Sequence, residues 1–233
     1  MKPVAIIQHD AHDGPSYFAT WLAEQGIAFA VFRMFDGAEL PASLADYSGL
    51  CILGGPMSAN DALPYFDPLL ARVREAVWQR VPVIGHCLGG QLLSRALGGT
   101  VQASEHVEIG WSQLEAVHAD AKQWFGDTAP LQLFQWHGES FSIPPGATQL
   151  LRGMYCANQA YVVDKLHLGM QFHCEVDEAK VSDWLELDAQ EVRCCVSPGA
   201  QQANAILHNL SVEIKRSQYI ASHIYTRWAQ GLS

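Results

Sequence analysis

Gly85-His86-Cys87-Leu88-Gly89 sets a cysteine between glycines two residues before and two after it. The motif falls where a short apolar run, Val81–Ile84, gives way to a helical period over Leu88–Leu97. So sharp a strand-to-helix turn forces its central residue into a strained, exposed geometry, and the glycines are needed because neighbouring backbones approach closely. The thiol would stand at a helix N-terminus, where unpaired N–H groups and the helix dipole favour the thiolate. A lone cysteine is more often buried structure than chemistry. In this elbow the reading is a nucleophile.

A nucleophilic cysteine needs a base, and the base needs a group to orient it. Ten histidines make presence alone uninformative, but Gln171-Phe172-His173-Cys174-Glu175 stands apart. It closes the strand candidate Leu166–Phe172, and positions two apart in extended chain share a face. His173 and Glu175 then point together, carboxylate holding imidazole, while Cys174 points away. Gln91 lies four residues beyond Cys87, one helical turn on and on the same face. His86, beside the nucleophile, should face away from it as a structural residue. Trp136-His137-Gly138-Glu139 reads either as pocket wall or as structure around a satisfied His137.

The elements that must carry these residues follow from hydrophobic periodicity. Val4–Gln8, Ile27–Met34, Leu50–Leu53 and Val81–Ile84 are apolar strand candidates separated by helical stretches. One helix starts with Pro15 at its first position and stops at Gly26; another starts at Asp67-Pro68. This alternation predicts a parallel sheet covered on both faces, with chemistry at the carboxyl ends of its strands. Gly54-Gly55-Pro56 and Gly85-His86-Cys87 both fall at such ends. The middle of the chain changes character. Ile109–Val117, Leu131–Trp136, Thr148–Leu151, Ala160–Val163 and Leu166–Phe172 follow one another without long helices, which predicts a mixed or antiparallel extension. Helical periods return from Asp177, are broken at Ser197-Pro198-Gly199, and resume over Gln202–Ala229.

These motifs together resemble the class I glutamine amidotransferase family, the type with a Cys-His-Glu triad, in particular the glutaminase domain of GMP synthase and its free-standing relatives. The resemblance covers about residues 1–190. It rests on Ile52-Leu53-Gly54-Gly55-Pro56, the Cys87 elbow extended through Gly90-Gln91, Glu108-Ile109-Gly110-Trp111, Trp136-His137-Gly138-Glu139 and the His173 segment, in the family's order. It implies a flavodoxin-like three-layer α/β fold with an open mixed sheet and helices on both faces. Residues 191–233 would form a C-terminal helical extension packed on it. The resemblance further implies that Cys87 attacks the side-chain amide of glutamine to give a γ-glutamyl thioester and ammonia. His173 would shuttle the proton and Glu175 orient it. The oxyanion would be held by the N–H of Leu88 and of the Gly55-Pro56-Met57 turn; proline has no N–H, so Gly55 or Met57 supplies the second donor. The family's glutamine at position 91 helps to hold the substrate. One departure is Cys174, where the family carries proline, which removes a stiffening residue without touching the triad.

Composition limits the alternatives. The chain has 233 residues, 14 Lys+Arg against 24 Asp+Glu, and a formal net charge of -10. That balance argues against nucleic acid or an anionic membrane as a partner. No segment reaches the ~18 apolar residues a membrane span needs, and no leader segment is visible, so a cytoplasmic protein is expected. The six cysteines then read as free thiols, and their spacing fits no zinc template. No phosphate loop appears, and no cofactor is implied. Residues 191–233 are too few for an independently stable acceptor domain. Ammonia would therefore pass to a separate synthase subunit, or the protein would hydrolyse γ-glutamyl amides such as glutathione-like compounds outright. The apolar face of the last helices packs on the domain in the main reading and supports a homodimer in the lesser one. A non-catalytic regulatory protein on the same scaffold would be expected to have lost a triad member, and none is missing.

Overall fold

The computed structural model describes residues 1–127 and 131–233. In chain order the first elements are β1 (Val4–Gln8), α1 (Ser16–Glu24), β2 (Phe29–Arg33), β3 (Gly49–Ile52), α2 (Phe66–Trp78), β4 (Val83–His86) and α3 (Leu88–Ala96). The middle contributes β5 (Val101–Ala116), α4 (Ala121–Phe125), β6 (Leu131–Phe141), β7 (Thr148–Gly153), β8 (Ala160–Val163) and β9 (His167–Met170). The chain ends in α5 (Glu178–Leu187), α6 (Ala189–Cys194), β10 (Gly199–Ala200), α7 (Ala203–Leu207) and α8 (Leu210–Ala229).

One sheet runs in the order β10-β5-β7-β8-β9-β4-β3-β1-β2, with β6 paired to β5. Strands β2, β1, β3, β4 and β9 are mutually parallel, and β9 through β8 and β7 to β5 is antiparallel. The parallel half is what the alternating elements predict, the antiparallel half is the extension expected from the middle of the chain, and together they make the flavodoxin-like mixed sheet that the resemblance implies. The two-residue side-chain period sorts β1 between two cores. Val4 and Ile6 join one with Phe18, Ile220, Ile224 and Trp228, so α1 and α8 cover that face. Ala5 and Ile7 join the other with Leu69, Val73, Leu92 and Leu93, so α2 and α3 cover the opposite face. A third cluster, with Trp111, Phe134, Val176, Trp184, Ile206 and Ile214, lies around α5, α7 and the start of α8.

Several boundaries differ from the sequence reading. Pro15 is the N-cap of α1, and helix begins at Ser16. Strand β5 starts at Val101, eight residues before the expected Ile109, and its ladder with β6 shifts register between Ala103 and Glu108. Gln102 and Ala103 are exposed there, so no apolar run marks that half of the strand. The break at Ser197-Pro198-Gly199 also begins β10, which pairs with β5. The last helical stretch is two helices, parted at Asn209, whose φ of 60° is left-handed. Among the described residues no helix is long and apolar enough to cross a membrane.

Candidate active site

Cys87 has φ 47° and ψ -108°. This positive φ on a residue with a Cβ is strained backbone, held by close packing on both sides. A Cβ on Gly85 would run into the backbone of Gly89, and one on Gly89 into the carbonyl of Ile52. The turn thus hands β4 directly to α3 and leaves Cys87 at the helix N-terminus. The thiol borders a cavity of about 680 Å³ that Gly55, Met57, Leu88, Gln91, Trp136 and His173 also line. Among the described residues, no protein acceptor takes the N–H of Gly55, Met57 or Leu88. The three donors flank Cys87 as unpaired groups.

His173 and Glu175 follow β9, and the N–H of His173 is tied to the carbonyl of Phe134 in β6 (2.8 Å). Nδ1 of His173 lies 2.7 Å from Oε1 of Glu175, and the ring shares the cavity wall with Cys87. Cys174 turns to the opposite side, where its Sγ is 3.4 Å from the Tyr225 hydroxyl in the core. Burial alone would lower the pKa of His173, but the charges of Glu175 and Cys87 and the hydrogen bond to Glu175 raise it well above its ordinary value. Burial would likewise push Glu175 up. His173, Lys180 and His86 outweigh it and hold the carboxyl well below the usual carboxylate range.

The structure brings in two residues that the sequence reading did not single out. Lys180 is fully buried behind Glu175. Its Nζ is 2.6 Å from Asp13 Oδ1, 2.8 Å from the Gly14 carbonyl and 3.3 Å from Glu175 Oε1. Asp177 starts α5 by accepting the Lys180 N–H (2.8 Å), which fixes where that side chain departs. The second is Gln171, whose Nε2 is 3.6 Å from Cys87 Sγ. The same two-residue alternation that pairs His173 with Glu175 puts Gln171 on their face, so the signal was in the strand. Lys180 had a fainter one: it stands four residues from Trp184 on α5, and its Nζ lies 4.9 Å from that ring's centroid.

The remaining candidates divide between wall and support. Gln91 is buried, and its Nε2 donates to the Glu139 carbonyl (3.1 Å) and to Gln171 Oε1 (3.3 Å). Trp136, His137, Gly138 and Glu139 all border the cavity. His137 is also structural. Its Nδ1 donates to the Glu139 carbonyl at 3.1 Å, and its Nε2 lies 3.2 Å from Glu108 Oε2, out of line for a straight hydrogen bond. His86 faces the core between Cys51 and the Tyr225 hydroxyl, and burial lowers its pKa to about 4.

Three buried trios bring potential metal ligands within 4.8 Å of one another: His86-Cys174-Glu175, Asp13-His173-Glu175 and Glu108-His137-Cys156. In the first two, Glu175 is already engaged by His173 and the Lys180 ammonium, which takes the place of a cation. In the third, Glu108 accepts from Gln159 (2.8 Å) and Ser112 (3.2 Å) beside His137.

A doubly covered α/β sheet thus carries a strained cysteine at a strand end, on one cavity with an imidazole that a carboxylate holds, and that is the arrangement which the resemblance to class I glutamine amidotransferases implies. Residues 18–186 match the family described as glutamine amidotransferase class-I, and the chain belongs to that family. It is 28% identical over 198 residues to the glutamine amidotransferase-like protein YfeJ of Salmonella typhimurium, covering 81% of this chain and 82% of that one. It is 35% identical over 191 residues to a GMP synthase of Thermomicrobium roseum, covering 76% of this chain but only 34% of the synthase. A crystal structure of a glutamine amido transferase from Methylobacillus flagellatus superposes with a TM-score of 0.97 at 48% identity, covering 100% of this chain and 96% of that one. A glutamine amidotransferase from Thermotoga maritima superposes at 0.87 with 27% identity, each chain covered to 98%.

Proposed function

We propose that the protein hydrolyses the side-chain amide of glutamine to glutamate and ammonia, with Cys87 as nucleophile, His173 as base and acid, and Glu175 as orienter. The observation that carries this reading is that Cys87 and His173 border one cavity beside unpaired backbone N–H groups, with the buried Glu175 carboxylate 2.7 Å from His173 Nδ1. His173 takes the Cys87 proton as sulfur attacks the amide carbon, and the oxyanion is held by the N–H of Leu88 and that of Gly55 or Met57. The proton goes from His173 to the leaving ammonia, and water then cleaves the γ-glutamyl thioester. Gln91 shapes the substrate end of the pocket. Residues 1–190 act as the glutaminase module, with 191–233 as its helical extension.

The GMP synthase relative is about three times as long as the matched region, which supports a separate synthase subunit as acceptor of the ammonia. A second reading, a γ-glutamyl peptidase, is supported by the cavity. At about 680 Å³ it lies in the range that holds drug-sized ligands, and so has room for a leaving group larger than ammonia. Incubating purified protein with glutamine, and in parallel with γ-glutamyl peptides, decides between them. The first reading expects glutamate and ammonia from glutamine, lost in Cys87→Ala. Cleavage of the peptides alone would replace it with the second.

A further inference from the structure

Behind the triad lies a second pair of opposite charges. Lys180 is 3% exposed at its side chain, Asp13 7% and Glu175 0%, so all three ions are out of water. Isolated charges in such a place are strongly unfavourable, and they persist only when paired and hydrogen-bonded. Here they form one line: Asp13, Lys180, Glu175, His173, Cys87. The line is short. Gly54 is the spacer between Asp13 and the imidazole: a Cβ there would stand 2.6 Å from Asp13 Oδ2 and 2.8 Å from His173 Cε1. Asp13 itself comes from the loop after β1. That loop is fastened to α5 by the Trp184 Nε1 bond to the His12 carbonyl (3.1 Å).

Among the described residues, the other groups buried against this line contribute no charge near neutrality. His86, packed from the end of β4, is neutral, because burial lowers its pKa to about 4. Burial also raises Cys51, Cys174 and Tyr225, which therefore stay protonated. Asp10, Asp188 and Glu191 line the outer cavity. Among the described residues, the ammonium of Lys180 is thus the one buried cation beside Glu175 other than His173 itself.

We propose that Lys180 and Asp13 are positioning residues, a pair of buried charges that sets the pH range over which the Cys87–His173 couple is reactive. The proposal rests on the reading of Cys87 as nucleophile and His173 as its base. Lys180 compensates Glu175, so that the carboxylate stays ionised and fixed on Nδ1 without over-stabilising the imidazolium. Asp13 compensates Lys180 in turn, and both carboxylates lie close enough to act on the ring electrostatically. The sign of each contribution is fixed by its charge. Removing the Lys180 cation leaves Asp13 and Glu175 facing the couple, and a thiolate then forms only at higher pH. Removing the Asp13 anion leaves Lys180 less screened, and the thiolate forms at lower pH. A full charge at this range, with the effective dielectric of a protein site, moves a titration by about one pH unit.

The test needs no substrate, so it does not depend on which amide the enzyme cleaves. The rate of Cys87 alkylation by iodoacetamide is measured against pH by mass spectrometry of the Cys87 peptide. The expected result is a rise displaced by about one unit to higher pH in Lys180→Met and to lower pH in Asp13→Asn, with the double variant near wild type because charge is balanced again. Curves that stay put, or that both move the same way, overturn the proposal, since a merely structural role has no reason to produce opposite signs. Should Lys180→Met not fold, Asp13→Asn keeps the side-chain shape and decides alone: an unmoved curve overturns the idea. A wild-type Cys87 that iodoacetamide fails to alkylate at any pH would instead remove the nucleophile reading on which the proposal rests.

Discussion

Nδ1 of His173 sits 2.7 Å from Oε1 of Glu175, two residues along the same extended segment, while the residue between them faces the opposite core. One stretch of backbone therefore delivers base and orienter together. The N–H of His173 is anchored on Phe134, so the rigidity that proline would give at position 174 is supplied by a neighbouring strand.

Glu175→Gln keeps the shape of this contact and removes its charge. An amide no longer stabilises the imidazolium, and it leaves Lys180 with Asp13 as its sole carboxylate. The expected loss in kcat is on the order of 1,000- to 10,000-fold, as for the equivalent change in other triads, with KM changed far less. Steady-state kinetics on the substrate identified above measures the split.

Cys174→Ala separates the two thiols of the region. Its sulfur touches the Tyr225 hydroxyl in a closed core and has no path to the cavity. Activity should stay within about threefold of wild type, and stability should fall by about 1 kcal/mol for the lost packing and weak hydrogen bond. Conversely, a glutamine-mimicking electrophile should label Cys87 alone of the six cysteines, although Cys194 is the more exposed thiol. Peptide mapping of the labelled protein reads both results.

Gln91→Ala removes two donors from the cavity wall, one to the Glu139 carbonyl and one to Gln171. Gln171 in turn points at Cys87 Sγ. The variant should raise KM by about tenfold, roughly the worth of one lost hydrogen bond in a buried site, and lower kcat less. An equal fall in kcat and kcat/KM, with KM unmoved, would shift the role of Gln91 from holding substrate to positioning the nucleophile.

The elbow and the His173 segment were legible because both are local: spacing along one turn or one strand fixes who faces whom. The parallel half of the sheet was legible for a similar reason, since its strands are apolar on both faces. Lys180 was not, because its burial depends on Asp13, 167 positions away in the chain, and a lysine near a helix start reads as solvated. The first half of β5 was hidden by its exposed residues Gln102 and Ala103. The break in the last helical stretch was hidden because nothing in His208-Asn209 breaks the apolar period that runs through Ile206, Leu210 and Ile214.

That last helix bears on stability as directly as any strand. Trp228, Tyr225, Ile224 and Ile220 of α8 share a core with Val4, Ile6 and Phe18, and Trp228 is 1% exposed. Trp228→Ala should cost about 3–5 kcal/mol, and a chain ending before α8 should not fold cooperatively. Urea denaturation followed by fluorescence and circular dichroism would show either effect.

The buried histidines make a final prediction with a definite sign. Burial lowers His9, His86 and His167 to about 4 from an ordinary value of 6.5. Between those two pH values the unfolded chain binds protons at these sites and the folded chain does not, so folding stability must rise with pH across the window. Two other buried groups do not cancel the trend. Glu175 is depressed when folded, so its contribution is intact above about 4.5 and is lost only at lower pH. His173 is raised when folded, so its contribution is fully present below about 6.5 and declines only as pH climbs through its folded value. Urea midpoints should therefore fall steeply from pH 6.5 to 4. A midpoint that is flat across that window would mean that the three imidazoles are protonated inside the fold, and that His86 carries charge beside Tyr225.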